Sequence, residues 1–147
     1  MIPAPGDAAP GTPEVIPPPT SIPTAPDVPA AGPAFKTGAE GEAYLRGIYP
    51  NGEPEVTFKT DIGNGATRVR RIDVLSDGIA HESKVGYTRL TETVEKQIAK
   101  DAWLIENGDI QGSTWHFFRS AVTGKIGAAA DVIEALQSNG IKYVIHK

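Results

Sequence analysis

The chain has 147 residues, room for one domain of ordinary size, and its 18 acidic and 14 basic side chains leave a net charge of −4. It contains no cysteine, which excludes disulfide frameworks, thiolate metal sites and cysteine nucleophiles and leaves the chain indifferent to redox compartment. No stretch approaches the roughly 18 consecutive apolar residues of a membrane span.

Residues 1–33 hold eleven of the 13 prolines and no lysine, arginine or aromatic residue. Such a segment has little to bury against its ordering entropy, so it reads as a proline-rich disordered or polyproline-like linker. It lacks the basic start and continuous apolar run of a signal peptide. Setting aside Asp7, Glu14 and Asp27, residues 34–147 keep 15 acids against 14 bases. That near-neutral balance is poor support, taken globally, for nucleic-acid binding. The distribution is uneven, however: Arg68, Arg70, Arg71, Lys84, Arg89, Lys96 and Lys100 cluster around one stretch.

The first helix is expected over residues 38–49, where Tyr44, Leu45 and Ile48 stand at helical spacing and the run YPNGEP ends it. Residues 55–62 alternate apolar and polar side chains and read as a strand, followed by a turn at 63–65 and a second strand over 67–75. Asp77-Gly78 is a strong two-residue hairpin signal, and residues 79–87 form the third strand. Thr91 is placed to cap a helix running to about Glu106, with Glu92 and Glu95 in its first turn and Asn107-Gly108 at its end. Val94, Ile98, Ala102 and Ile105 are its expected buried stripe. Residues 113–120 are a fourth strand, 128–140 a second long helix closed by Asn139-Gly140, and 141–146 a last strand. The order predicts a small α/β domain with a mixed sheet of about five strands flanked by helices.

The hairpin carries the chemistry. With Asp77 and Gly78 as loop residues, Ser76 faces Ile79, Leu75 faces Ala80, Val74 faces His81, and Asp73 falls opposite Glu82. Opposed like charges destabilise a sheet unless a cation sits between them. Lys84, two residues beyond Glu82, emerges on the same face. Asp73 and Glu82 are thus candidates to share a hard divalent cation such as Mg²⁺ or Mn²⁺, with Lys84 acting on a bound water or on a phosphate. A solvated charged face is the alternative, and a slip of one residue would separate the two acids.

The pattern of Asp73, eight residues, then Glu82-Ser83-Lys84, on two strands between helices, resembles the PD-(D/E)xK phosphodiesterase superfamily. Ile72 stands where that motif has its proline. The resemblance implies a restriction-endonuclease-like core over residues 34–147, with Asp73 and Glu82 as metal ligands and Lys84 as the catalytic lysine. The run STWHFFRSAVTGKIGAAADVIEALQSNGIKYVIH is similar to the C-terminal nuclease domains of bacterial polymorphic toxins. What that likeness implies is a Mg²⁺-dependent endonuclease acting on DNA, with RNA (transfer RNA among its forms) as the alternative substrate and a non-catalytic nucleic-acid-binding module as the alternative class. It further implies a larger secreted carrier ahead of the linker, a cognate immunity protein, and action in the cytoplasm of a target bacterium during interbacterial competition. Glu42, or Glu40, would complete the metal shell by the same likeness, unless it merely faces solvent. Gln97 would approach the active site, unless it is an ordinary boundary glutamine. His116, among aromatic residues, reads as a structural histidine, His81 points away from the acids, and Lys125 reads as a solvated loop lysine.

Overall fold

The computed structural model describes residues 32–147, so the linker expected over residues 1–33 lies, apart from its last two, outside the described residues. In chain order the elements are β1 (Ala34–Phe35), α1 (Gly38–Ile48), β2 (Glu53–Lys59), a 3-10 turn (Gly65–Arg68), β3 (Val69–Ser76), β4 (Ile79–Val85), α2 (Glu92–Glu106), β5 (Gly112–Ser120), α3 (Ala130–Ser138) and β6 (Lys142–Ile145). β2, β3 and β4 form an antiparallel meander; β5 lies parallel to β4, and β6 lies parallel to β5. The result is an α/β fold with a mixed six-stranded sheet. The strand not expected is β1, whose two residues pair with Arg119 and Ser120 of β5. Two residues are too short to show a period of two.

Helices cover both faces. On β5, Phe117 packs with Val94, Ile98, Val132 and Leu136, whereas its neighbour Phe118 packs with Leu45 and Val74. Adjacent strand residues point to opposite faces, so α2 and α3 lie on one side and α1 on the other. Gly41 lets α1 come close: a Cβ there would stand 2.6 Å from Ser83 Oγ and 2.7 Å from Val85 Cγ2.

The hairpin forms as its turn dictates. Asp77 and Gly78 both take positive φ, 52° and 79°, the requirement of a type I′ turn. The pairs that follow are Ser76 with Ile79, Leu75 with Ala80 and Val74 with His81. There the ladder ends, one residue short of the acids. Around that point β3 also departs from strict alternation. Ile72 and Leu75 pack against the α2 side with Leu104, while Val74 joins Leu45 and Phe118 on the α1 side. In β2, Glu55 lies beside this irregularity with φ 54°. Local distortion of a ladder re-aims side chains, and here the residue concerned is Asp73.

In α2, Thr91 Oγ1 accepts the Val94 N–H at 3.2 Å, the expected N-cap. Its buried residues are Val94, Ile98, Lys100, Asp101 and Leu104. Ala102 and Ile105, expected in the stripe, are only half-buried. A helix turns through about 100° per residue, so positions 94, 98 and 101 line up better than 94, 98 and 102. An acid occupies that inward position.

Candidate active site

Asp73, Glu82 and Gln97 line a pocket of about 370 Å³ on the α2 side of the sheet, and Lys84 stands behind that wall, bonded to Gln97 and Glu82. Its other walls are Thr67, Val69, Arg70, Arg71, Thr93, Lys96 and Lys100, so cations and hydroxyls surround two carboxylates.

Each side chain is held by a different element. At the end of the β3–β4 ladder, Asp73 Oδ2 accepts the Ser83 N–H at 2.9 Å, and Arg71 Nη2 stands 3.4 Å from Oδ1. Glu82, on β4, has both oxygens engaged: Oε1 by Arg70 Nη2 and Oε2 by Lys84 Nζ, each at 3.1 Å. Lys84 also donates to Gln97 Oε1 of α2 at 2.6 Å, and its Nζ lies 5.1 Å from the centre of the Trp115 ring. The three residues singled out in the sequence thus lie near one another. Asp73 is tied to Ser83, the neighbour of Glu82, where the strands part, and not to Glu82 as a ladder pair.

The two acids differ electrostatically. Burial, reinforced by the nearby Glu82, pushes the Asp73 carboxyl up to about 7, against the lowering effect of the Ser83 N–H and Arg71. Burial would also raise Glu82, but Arg70 and Lys84 outweigh it and hold that carboxyl below its ordinary value. One carboxylate is compensated and the other only in part.

Two hard oxygen donors in a pocket with room for water fit a divalent ion that keeps several waters. The charge at Asp73, only partly met by Arg71, is what such an ion would neutralise. Among the described residues no three acidic or histidine side chains converge to hold an ion by themselves. Glu42 is linked to Asp73 through Arg71, whose Nη2 lies 3.4 Å from Glu42 Oε2. Glu40 serves the helix instead: its backbone N–H donates to Thr37 Oγ1, and its carboxylate accepts the Lys36 N–H at 2.7 Å.

The sequence did not reveal the support behind Glu82. Arg70, counted as one of several clustered cations, is 4 % exposed, and Asp101 is fully buried. Arg70 Nε donates to Asp101 Oδ1 at 2.7 Å, while Ser113 Oγ and Trp115 Nε1 donate to Asp101 Oδ2, both at 2.9 Å. The available signals were positional. Arg70 shares the face of Ile72 two residues on, and Asp101 falls on the apolar stripe of α2.

On the opposite face the chain's three histidines form a row. His81 Nδ1 lies 3.0 Å from His116 Nε2, and His116 Nδ1 lies 2.9 Å from His146 Nε2. Tyr49 stacks on His81 at 3.8 Å and Phe118 on His146 at 4.4 Å. His146 Nδ1 is buried and has no hydrogen-bond partner among the described residues. An orphaned acceptor costs less than an orphaned donor, which favours His146 donating to His116 and His116 donating to His81. His116 is fully buried in this row, and His81 faces away from the acids. Lys125 is exposed in its loop.

No family model, curated protein or solved structure matches the chain.

Proposed function

We propose that residues 34–147 are a metal-dependent nuclease with a restriction-endonuclease-like core, hydrolysing DNA phosphodiester bonds. The observation that carries this reading is a cation-rimmed pocket lined by Asp73 and Glu82, with Lys84 bonded to Glu82 and to Gln97 of the pocket wall. The element order, helix, antiparallel meander, helix and parallel strand, agrees with that core. No helix among the described residues is long and apolar enough to cross a membrane.

Asp73 and Glu82 are the residues that would hold Mg²⁺, or Mn²⁺ in its place. When bound, the ion supplies Lewis acidity and an acidified water. Lys84 is fixed by Glu82 and Gln97 beside the two acids, where its ammonium stabilises charge gathering on a phosphate. Lys96, Lys100 and Arg71 line the same pocket and suit the anionic backbone of a nucleic acid. As with polymorphic toxins, the nuclease would act in the cytoplasm of a target bacterium after release from a larger secreted carrier, and an immunity protein would block it in the producer.

Digestion of supercoiled plasmid and of total RNA, each with Mg²⁺ and with chelator, tests the reading. Cleavage of plasmid that needs the metal and is lost in Lys84→Met is the expected result. Cleavage confined to RNA moves the substrate class. Cleavage of neither polymer, by folded protein with metal present, overturns the nuclease reading.

A further inference from the structure

We infer that Arg70, anchored by Asp101, is a positioning residue that fixes the Glu82 carboxylate toward the pocket. The inference rests on the reading of Glu82 as a functional acid and assigns its support.

A glutamate has three side-chain torsions, and a site that needs its carboxylate at one place must hold it there. Two groups do so here, Arg70 on Oε1 and Lys84 on Oε2. Lys84 is itself the reacting group of the proposed site and is partly exposed, so the permanent anchor is Arg70.

Arg70 is fixed from three directions. Nε and Nη2 donate to the two oxygens of Asp101 at 2.7 and 3.4 Å, and Nη1 donates to the Arg71 carbonyl at 2.8 Å. Asp101 in turn is fixed by Ser113 and Trp115 of β5. The contacts run without a break from β5 through α2 and β3 to Glu82 on β4. Arginine suits this place because its planar fork meets two carboxylates and a carbonyl in one fixed geometry, whereas a lysine offers a single ammonium.

A purely structural ion pair is the competing account. Buried ion pairs are weak sources of stability, and apolar replacements are often as stable. A fold with no use for the Glu82 charge would gain little stability by burying an acid, an arginine and a second acid in a row. Partners that orient a metal ligand are typically worth 10- to 100-fold in metal affinity or rate.

The test uses the full chain and the variants Asp101→Asn and Arg70→Lys, with Mn²⁺ titration by calorimetry and plasmid cleavage kinetics. Folded fraction is checked by circular dichroism, and a variant that does not fold is replaced in the comparison by the other. Arg70→Lys keeps the buried charge, so it should retain the fold better than the rate. Both variants should lose about tenfold or more in Mn²⁺ affinity and in kcat, with KM for DNA within about twofold of the parent. In a Glu82→Gln background, Arg70→Lys should cost little further. Folded variants with parent-like Mn²⁺ affinity and kcat would overturn the positioning role. So would a raised KM at unchanged kcat, since Arg70 would then be touching substrate itself. A parent that binds Mn²⁺ but cleaves nothing would sink the nuclease reading alone, because the metal titration still decides the role of Arg70. A parent that does not bind Mn²⁺ sinks both.

Discussion

Ser83 donates its backbone N–H to Asp73 Oδ2 at 2.9 Å, so a side chain takes over from the hairpin ladder at the point where β3 and β4 part. This contact separates the charge of Asp73 from its role as an acceptor. Asp73→Asn keeps an acceptor for Ser83 and removes the charge. The folded carboxyl titrates at about 7, well above the ~3.9 of an unfolded chain. The folded state therefore binds the extra proton between those values, and stability falls as pH rises from about 4 to 7. In chelator at pH 8, Asp73→Asn should exceed the parent by up to about 4 kcal/mol, and the gap should close near pH 4. Asp73→Ala should gain less, because an unpartnered Ser83 N–H costs about 1–3 kcal/mol. Urea denaturation at the two pH values checks this; equal parent and Asn stabilities at pH 8 would contradict the crowding of charge.

Lys84 separates an enzyme from a binding module. Lys84→Met should keep fold and metal binding yet lose about 10²-fold or more in rate. Lys84→Arg keeps the charge but cannot act as a base, so near-parent cleavage by this variant would identify charge stabilisation as the role. Gln97→Leu removes the 2.6 Å hydrogen bond to Nζ and should lower kcat by about tenfold through misplacement of Lys84. Rates under single-turnover conditions measure all three.

The histidine row predicts acid lability. Burial lowers His81 to about 3 and His146 to about 4, while burial and its two histidine neighbours hold His116 well below its ordinary value. Unfolded, all three titrate near ~6.5. Their stabilisation is complete above that value and is lost as pH falls through it toward the folded values. At pH 5 each histidine removes up to about 2 kcal/mol, and Asp73 opposes with only one proton. The urea midpoint should therefore drop clearly between pH 7 and pH 5, with a net uptake of about two protons on unfolding. A flat profile would mean that the row opens to solvent or is charged in the fold.

Gly41 and Gly47 lie in the same helix and should respond oppositely to alanine. Alanine gains up to about 1 kcal/mol in helix propensity at either position. At Gly41 the new Cβ meets Ser83 Oγ and Val85 Cγ2 under 3 Å away, whereas at Gly47 nothing lies within 4 Å. Overpacking costs about 1–3 kcal/mol, so Gly41→Ala should lower the thermal midpoint and Gly47→Ala should hold or raise it.

Local signals told most of the fold in advance. The Asp77-Gly78 turn set the hairpin register, Thr91 set the start of α2, and the spacing around residues 73–84 placed two acids and a lysine near one another. What stayed hidden was tertiary. A carboxylate on an apolar stripe is normally excluded from a core, so spacing and polarity point to Ala102 and not to Asp101; only Arg70, Ser113 and Trp115, distant in sequence, make the burial of Asp101 tolerable. Arg70 looked like surface charge for the same reason. The end of the ladder at Val74 depends on the distortion beside Glu55, which no periodicity reports.

His81 and Glu82 are neighbours on β4, one turned to the neutral imidazole row and the other to Arg70 and Lys84. A strand displaced by a single residue would carry Glu82 and Lys84 together among uncharged rings and set the His81 imidazole beside Arg70. The first error buries an ion pair against neutral rings, and the second takes from Arg70 one of the two carboxylates it meets. An ordinary amphipathic strand is aligned by oil against water, a coarse criterion that a partly collapsed chain can satisfy in more than one way. β4 has no solvent face to use, and its alignment is set by matching ionic with neutral surroundings. Misaligned hairpins should thus be unable to seal the core, which makes the chemistry of the pocket a proofreader of the chain's own assembly.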